Sequence, residues 1–159
     1  MSQKSEAKDA IKLIAKNRRA LHDFAIAERL EAGLSLTGSE VKSCRAAKVS
    51  LSDAYVQMER GEAMLLNCHI AEYEAANRFN HVPLRPRKLL LHRKELDALE
   101  VKLLHQGQVA VPLSFYFKNG RVKAEIGIGK GKTNIDRRES VKEREAKREI
   151  ARALGRGSR

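Results

Sequence analysis

Between residues 108 and 129 the chain alternates strictly. Val111, Leu113, Phe115 and Phe117 precede Asn119-Gly120, and Val122, Ala124, Ile126 and Ile128 follow it. A period of two sends successive side chains to opposite faces of a strand. Asn-Gly supplies the two positive-φ residues of a type I′ turn, whose twist matches the strands it joins. The chain must therefore build around a long β-hairpin, with Lys123 directed away from the core. Pro112 inside the first strand predicts an edge position or a bulge, because proline cannot donate to the ladder.

The remaining segments are shorter. Residues 55–58 and 63–70 flank Glu59-Arg60-Gly61-Glu62 and read as a second hairpin turning at Gly61. Residues 20–36 read as extended, with Phe24 and Ile26 alternating with alanines and Gly33 fitting a bulge or bend. Thr37-Gly38-Ser39-Glu40 matches a capping box. It predicts a helix over 38–47 with Val41 and Cys44 inward and Lys42, Ser43 and Arg45 outward. Residues 72–87 form a long irregular loop closed by Pro83 and Pro86, a length that points to a working loop. A short apolar strand over 88–92 precedes a helix over 93–105 striped by Leu96, Leu99 and Leu103. The predicted fold class is mainly β (α+β). It is a small antiparallel oligonucleotide-binding-like β-barrel with two or three added helices and a disordered or helical basic C-terminal tail.

Charge narrows the partners. The 159 residues carry a net charge of +12. From Lys130 onward there are eleven Lys/Arg against five Asp/Glu, a net of +6, so the last thirty residues hold half the charge. Such a tail predicts a polyanionic partner, with nucleic acid first and a membrane surface second. Aromatic residues make up only 4% and Trp is absent. That argues against a broad stacking platform and for recognition by shape and phosphate. No apolar run approaches the ~18 residues of a membrane span. Cys44 and Cys68 show no metal-ligand spacing and no signal-peptide pattern accompanies them. They predict small core residues in a cytoplasmic protein.

Two enzymatic readings fail on the residues. GIGKGKT resembles a phosphate-binding loop, but the first glycine of that pattern would fall on Ile126. The segment reads instead as a glycine hinge carrying Lys130 and Lys132. His22, His81, His92 and His105 are isolated, and no nucleophile–base spacing stands out. No cofactor, metal or catalytic residue is predicted.

Taken together, Asn17-Arg18-Arg19, Glu31-Ala32-Gly33, TGSEVKSCRA, NRFNHVPLRPRKLLLH, SFYFKNGRVK and GKGKTNIDRRESVKEREAKRE resemble the SmpB family, the SsrA-binding proteins of bacterial trans-translation. The likeness runs over about residues 17–152. It implies a barrel with added helices that binds the tRNA-like domain of transfer-messenger RNA (tmRNA, or SsrA RNA) near its elbow. It also implies delivery of that RNA to ribosomes stalled on messages without a stop codon. The C-terminal tail is expected to be unstructured alone and helical in the empty mRNA channel. The partners implied are tmRNA and the ribosome, at its decoding centre and mRNA channel, with the protein a monomer that does no chemistry.

Matching family RNA-contact positions are Asn17, Glu31, Leu91 and Lys123. Arg19, Lys42, Arg45, Arg87, Lys130 and Lys132 are added as cations placed to meet the RNA. Asp136, Arg137 and Arg138 match the family's tail motif, and Ile135 stands where an aromatic or His is common. Lys142, Arg144, Lys147, Arg148 and Ile150 extend the ribosome-binding tail, helped by i,i+3 and i,i+4 Glu-to-cation pairs. The expected organisation is a flexible leader (1–16), an RNA-binding body (17–130) and a tail (131–159). A structural ribosomal protein with a basic tail fits the composition as the alternative.

Overall fold

The computed structural model describes residues 11–132 and 134–156, the side chains of 134–137, 140 and 156 excepted. The elements in order are β1 (Ile11–Lys16), α1 (Arg18–Asp23), β2 (Phe24–Leu34), α2 (Gly38–Arg45), β3 (Val49–Ser50), β4 (Tyr55–Glu59) and β5 (Glu62–Leu66). After them come β6 (His69–Ile70), a 3₁₀ segment (Glu74–Phe79), β7 (Arg87–Leu90), α3 (Arg93–Leu104), β8 (Gln108–Lys118), β9 (Arg121–Gly131) and α4 (Asn134–Arg156).

The predicted hairpin is the backbone of the molecule. Strands β8 and β9 pair antiparallel from Gln108↔Lys130 to Lys118↔Arg121, and Asn119 and Gly120 have φ of 53° and 76°. The second hairpin closes at Glu59↔Glu62 over Arg60 and Gly61, which also have positive φ. Hydrogen-bonded neighbours run β8–β4–β5–β7–β2–β9 and return to β8, so the sheet closes into the expected antiparallel barrel. Phe115, Leu65, Leu89, Ile126 and α3's Leu99 fill its core, with Leu96 and Leu103 packed against it.

Pro112 produces a bulge, and this changes the alternation read from sequence. Pro112 faces Ile126 and Ser114 faces Glu125, leaving Leu113 unpaired with β9. The side-chain phase therefore flips. Phe115 and Phe117 enter the barrel core, whereas Val111 and Leu113 join a second apolar cluster with Ala20, Phe24 and Ile26.

Four other expectations are corrected. Residues 11–16, expected as part of a flexible leader, form β1 and pair with β8 from Ile11↔Lys118 to Lys16↔Ser114. The free edge of β8 recruits them. Residues 20–23, expected as extended, belong instead to α1, which Asn17 caps, accepting from Ala20 N at 3.1 Å. The strand expected over 63–70 breaks at Asn67, whose φ is 56°, and His69–Ile70 pairs with β3 instead. The β2 irregularity lies between Ile26 and Glu28, not at Gly33. Gly33 marks a close approach, since a Cβ there would lie 3.2 Å from Leu90 Cβ. The parts of the expected leader over 1–10 and of the tail at 133 and 157–159 lie outside the described residues.

Candidate nucleic-acid interface

The capping box forms as predicted. Glu40 N donates to Thr37 Oγ1 and Thr37 N donates to Glu40 Oε1 at 2.9 Å. Glu40 is fully buried, and it also accepts from Arg85 at 2.5 Å and from Arg87. Burial alone would raise its pKa, but the bonds from Arg85, Thr37 N–H and Arg87 outweigh that and hold it below the usual value. Arg87 then donates to Cys68 O at 2.6 Å and Pro83 O at 3.0 Å. Arg87 was expected on the RNA. It is instead completely buried and fully engaged, so its guanidinium cannot reach a phosphate. Ser43, expected outward, is buried and donates to Ala71 O at 2.6 Å. Lys42 and Arg45 do face solvent, with Lys42 Nζ 5.4 Å from the Tyr73 ring centre.

Asn17 is likewise corrected. It is 3% exposed. Its Nδ2 donates to Leu51 O at 3.0 Å and Pro112 O at 2.8 Å, and its backbone N donates to Leu113 O at 2.7 Å. The bulge in β8 leaves carbonyls that would otherwise be buried unpaired. Asn17 satisfies them while capping α1. It positions the surface from below and is not part of it.

The other expected contacts divide between two places. Glu31 and Lys123 line one cleft of about 750 Å³ between β2, β7, β9 and the start of α3, with Leu90, Leu91, Lys88 and Arg93. Glu31 accepts from the Tyr116 hydroxyl, and Lys118 Nζ lies 3.4 Å from it. The Tyr116 bond is the main cause holding Glu31 below the usual carboxylate range; partial burial opposes it, and Lys118 and Lys123 add to it. Glu31 is thus a fixed carboxylate between lysines, able to accept from a base N–H or a 2′-hydroxyl. Leu91 is half-buried against the core, and its neighbour Leu90 is 51% exposed. The alternation in β7 buries Arg87 and Leu89 and exposes Lys88 and Leu90. That period-two signal was present in RKLL and would have found Leu90 and Lys88.

Arg19, Lys130 and Lys132 sit at the other end of β9. Arg19 pairs with Asp53 at 3.2 Å and Asp23 at 3.4 Å. Lys130 is exposed, and Lys132 is held at α1, its N donating to Asp23 O at 2.8 Å and its Nζ to Leu21 O at 3.2 Å. The supposed phosphate loop is therefore the end of a strand. Helix α4 leaves from this point and meets α1 where His22 faces Arg138, Val141 and Lys142. Arg138, Lys142, Arg144, Lys147, Arg148 and Ile150 all have exposed side chains on it. The side chains of Ile135, Asp136 and Arg137 lie outside the described residues.

Cys44 and Cys68 are buried thiols whose pKa burial pushes up to about 11 and about 12. Among the described residues no group of three His, Cys, Asp or Glu side chains could hold a metal ion.

A family model described as SmpB protein matches residues 14–156. The chain is 54% identical over 151 residues to the SsrA-binding protein of Symbiobacterium thermophilum, across 94% of this chain and 96% of that one. It is 50% identical over 143 residues to the SsrA-binding protein of Shouchella clausii, across 90% and 92%. A solved structure described as "tmRNA-SmpB: a journey to the center of the bacterial ribosome" aligns with a TM-score of 0.65 at 43% identity, across 80% of this chain and 93% of that chain.

Proposed function

The chain belongs to the SmpB family, and we propose that it binds tmRNA and delivers it to stalled ribosomes in trans-translation. The observation that carries this reading is the spatial separation of two elements, a barrel cleft of mixed charge around Glu31 and Lys123 and a basic helical arm leaving the far end of β9. The cleft and the adjacent face of α2 take the tRNA-like domain. Glu31 accepts from a base or ribose donor, Leu90 and Leu91 offer an apolar floor, and Lys123, Lys42 and Arg45 meet phosphates. Arg19, Lys130 and Lys132 lie where the body meets the arm. The arm enters the empty mRNA channel, with Arg138, Lys142, Arg144, Lys147 and Arg148 against rRNA.

The protein acts as an adaptor without catalysis, in the cytoplasm. No helix among the described residues is long and apolar enough to cross a membrane.

Removal of residues 131–159 is the test. The shortened chain should bind tmRNA within a few-fold of the full chain and give no peptide tagging on stalled ribosomes. Loss of tmRNA binding on truncation would refute the division of labour. A full chain that co-purified stoichiometrically with ribosomes and with no small RNA would favour a structural ribosomal protein.

A further inference from the structure

The loop over 72–87 holds a bare aromatic ring on a rigid mount. Phe79 is 78% exposed, yet the chain on both sides of it is fastened. Asn80 accepts from Tyr73 N at 2.9 Å and donates to Tyr73 O at 2.7 Å, closing the loop on itself. His81 is buried and bonds Ser39 Oγ and Ile70 O, both at 2.8 Å. Arg85 and Arg87 tie the loop's far end to Glu40. Inside it, Asn77 is held at φ 48°, ψ −119°, a backbone region that costs free energy in any residue but glycine. The Arg78 guanidinium lies 5.2 Å from the Phe79 ring centre. A single exposed aromatic is ordinary on a protein surface. One that a strained and multiply bonded loop keeps out of the core, beside a cation, has the form of a stacking platform for an unpaired base.

Helix α2 touches both the loop and the groove beside the cleft. Val41 of α2 lines a groove with Gly33, Leu90 and Lys123. The next residue, Lys42, lies over Tyr73, whose backbone clamps Asn80 beside Phe79. We propose that Phe79 stacks on one unpaired nucleobase of the same tRNA-like RNA that occupies the cleft, with Arg78 and Lys42 on the flanking phosphates. The inference rests on the RNA-binding reading above and adds a contact to it.

The test uses the full chain and transcribed tmRNA. Phe79→Ala should weaken binding about 10-fold at constant salt, as expected for one lost stacking contact. Its salt dependence and thermal midpoint should match the parent. Phe79→Tyr should restore affinity, and Phe79→Leu should not, because stacking needs a π-face and not merely apolar area. Arg78→Ala should lower the slope of log K against log salt by about one phosphate's worth. Unchanged affinity in Phe79→Ala, or full rescue by Phe79→Leu, overturns the inference while leaving the function intact. If the parent chain itself binds no tmRNA, the function fails first. Normal tmRNA affinity with reduced tagging on stalled ribosomes would put the ring on the ribosome and overturn the assignment as well.

Discussion

Glu40 joins three structural tasks in one side chain. It caps α2, anchors the 72–87 loop through Arg85 and neutralises the buried Arg87. Removing one partner of a buried ion pair strands the other charge in a low dielectric, at a cost of about 3–5 kcal/mol. Glu40→Gln should lower unfolding free energy by that order at pH 7 in urea titrations. The acid behaviour follows from the lowered pKa. Below the ordinary value of 4.5 the unfolded carboxyl takes a proton while the folded one does not. The stabilisation is therefore complete above about pH 4.5 and is lost as pH falls through the folded value. Glu40→Gln should flatten this acid limb in a series of thermal midpoints from pH 6 to pH 3. An acid limb that stays as steep as in the parent would assign it to other carboxylates. Asn17 and Glu31 separate two ways of losing RNA. Asn17→Ala removes a cap and two buried donor bonds, and should cost about 2–3 kcal/mol of stability before any RNA is added. Glu31→Gln, on a partly exposed side chain, should leave the unfolding midpoint nearly unmoved and still weaken tmRNA binding in a filter or fluorescence titration.

The strand pair β2–β9 is where the barrel is least forgiving. A Cβ at Gly129 would overlap the Ala25 carbonyl, lying 2.8 Å from its carbon and 3.0 Å from Ile26 Cα. Both obstacles are backbone, so the strands must part. Gly129→Ala should destabilise by at least about 1–3 kcal/mol in a denaturant midpoint. Gly131→Ala, two residues on with nothing within 4 Å, should be nearly silent. This contrast was hidden in the sequence, where GIGKG reads as a hinge. Elements with local signatures were legible: two hairpins whose turns demand positive φ at Arg60, Gly61, Asn119 and Gly120, and a helix that begins on a capping box. Elements set by distant partners were not. Strand β1 exists because β8 has a free edge, and α1 exists because Asn17 is pulled inward by the Pro112 bulge. Arg87 reads as surface because arginine is almost never buried unpaired, and its partner lies 47 residues away in sequence. Glu31 and Lys123 were named as candidates through the family likeness; periodicity alone gives Lys123 an outward direction and Glu31 no role.

The molecule places its cleft and its basic arm at opposite ends of one strand. Lys123 and Lys130 lie seven residues apart on β9, about 23 Å at strand rise. Beyond Lys130, α4 adds 23 residues, about 35 Å of helix. A body that holds one RNA at the cleft end can therefore present its arm to a second partner, which is what an adaptor between tmRNA and a ribosome requires. The arrangement also sets how salt should act. Each phosphate neutralised contributes roughly 0.7–0.9 to the slope of log K against log salt. If the net charge of +5 over residues 131–159 is reserved for the ribosome, deleting them should change the slope for tmRNA by less than one. Lys42→Ala with Arg45→Ala, on the exposed face of α2, should lower it by about 1.4–1.8. The measurement is tmRNA affinity over a series of monovalent salt concentrations for the full chain, the shortened chain and the double variant. A slope that collapses on deletion and ignores the double variant would reverse the roles of tail and body. The reverse pattern, insensitive to deletion and sensitive to α2, would place the RNA across the cleft and the capped helix and leave the arm unoccupied until it meets the ribosome.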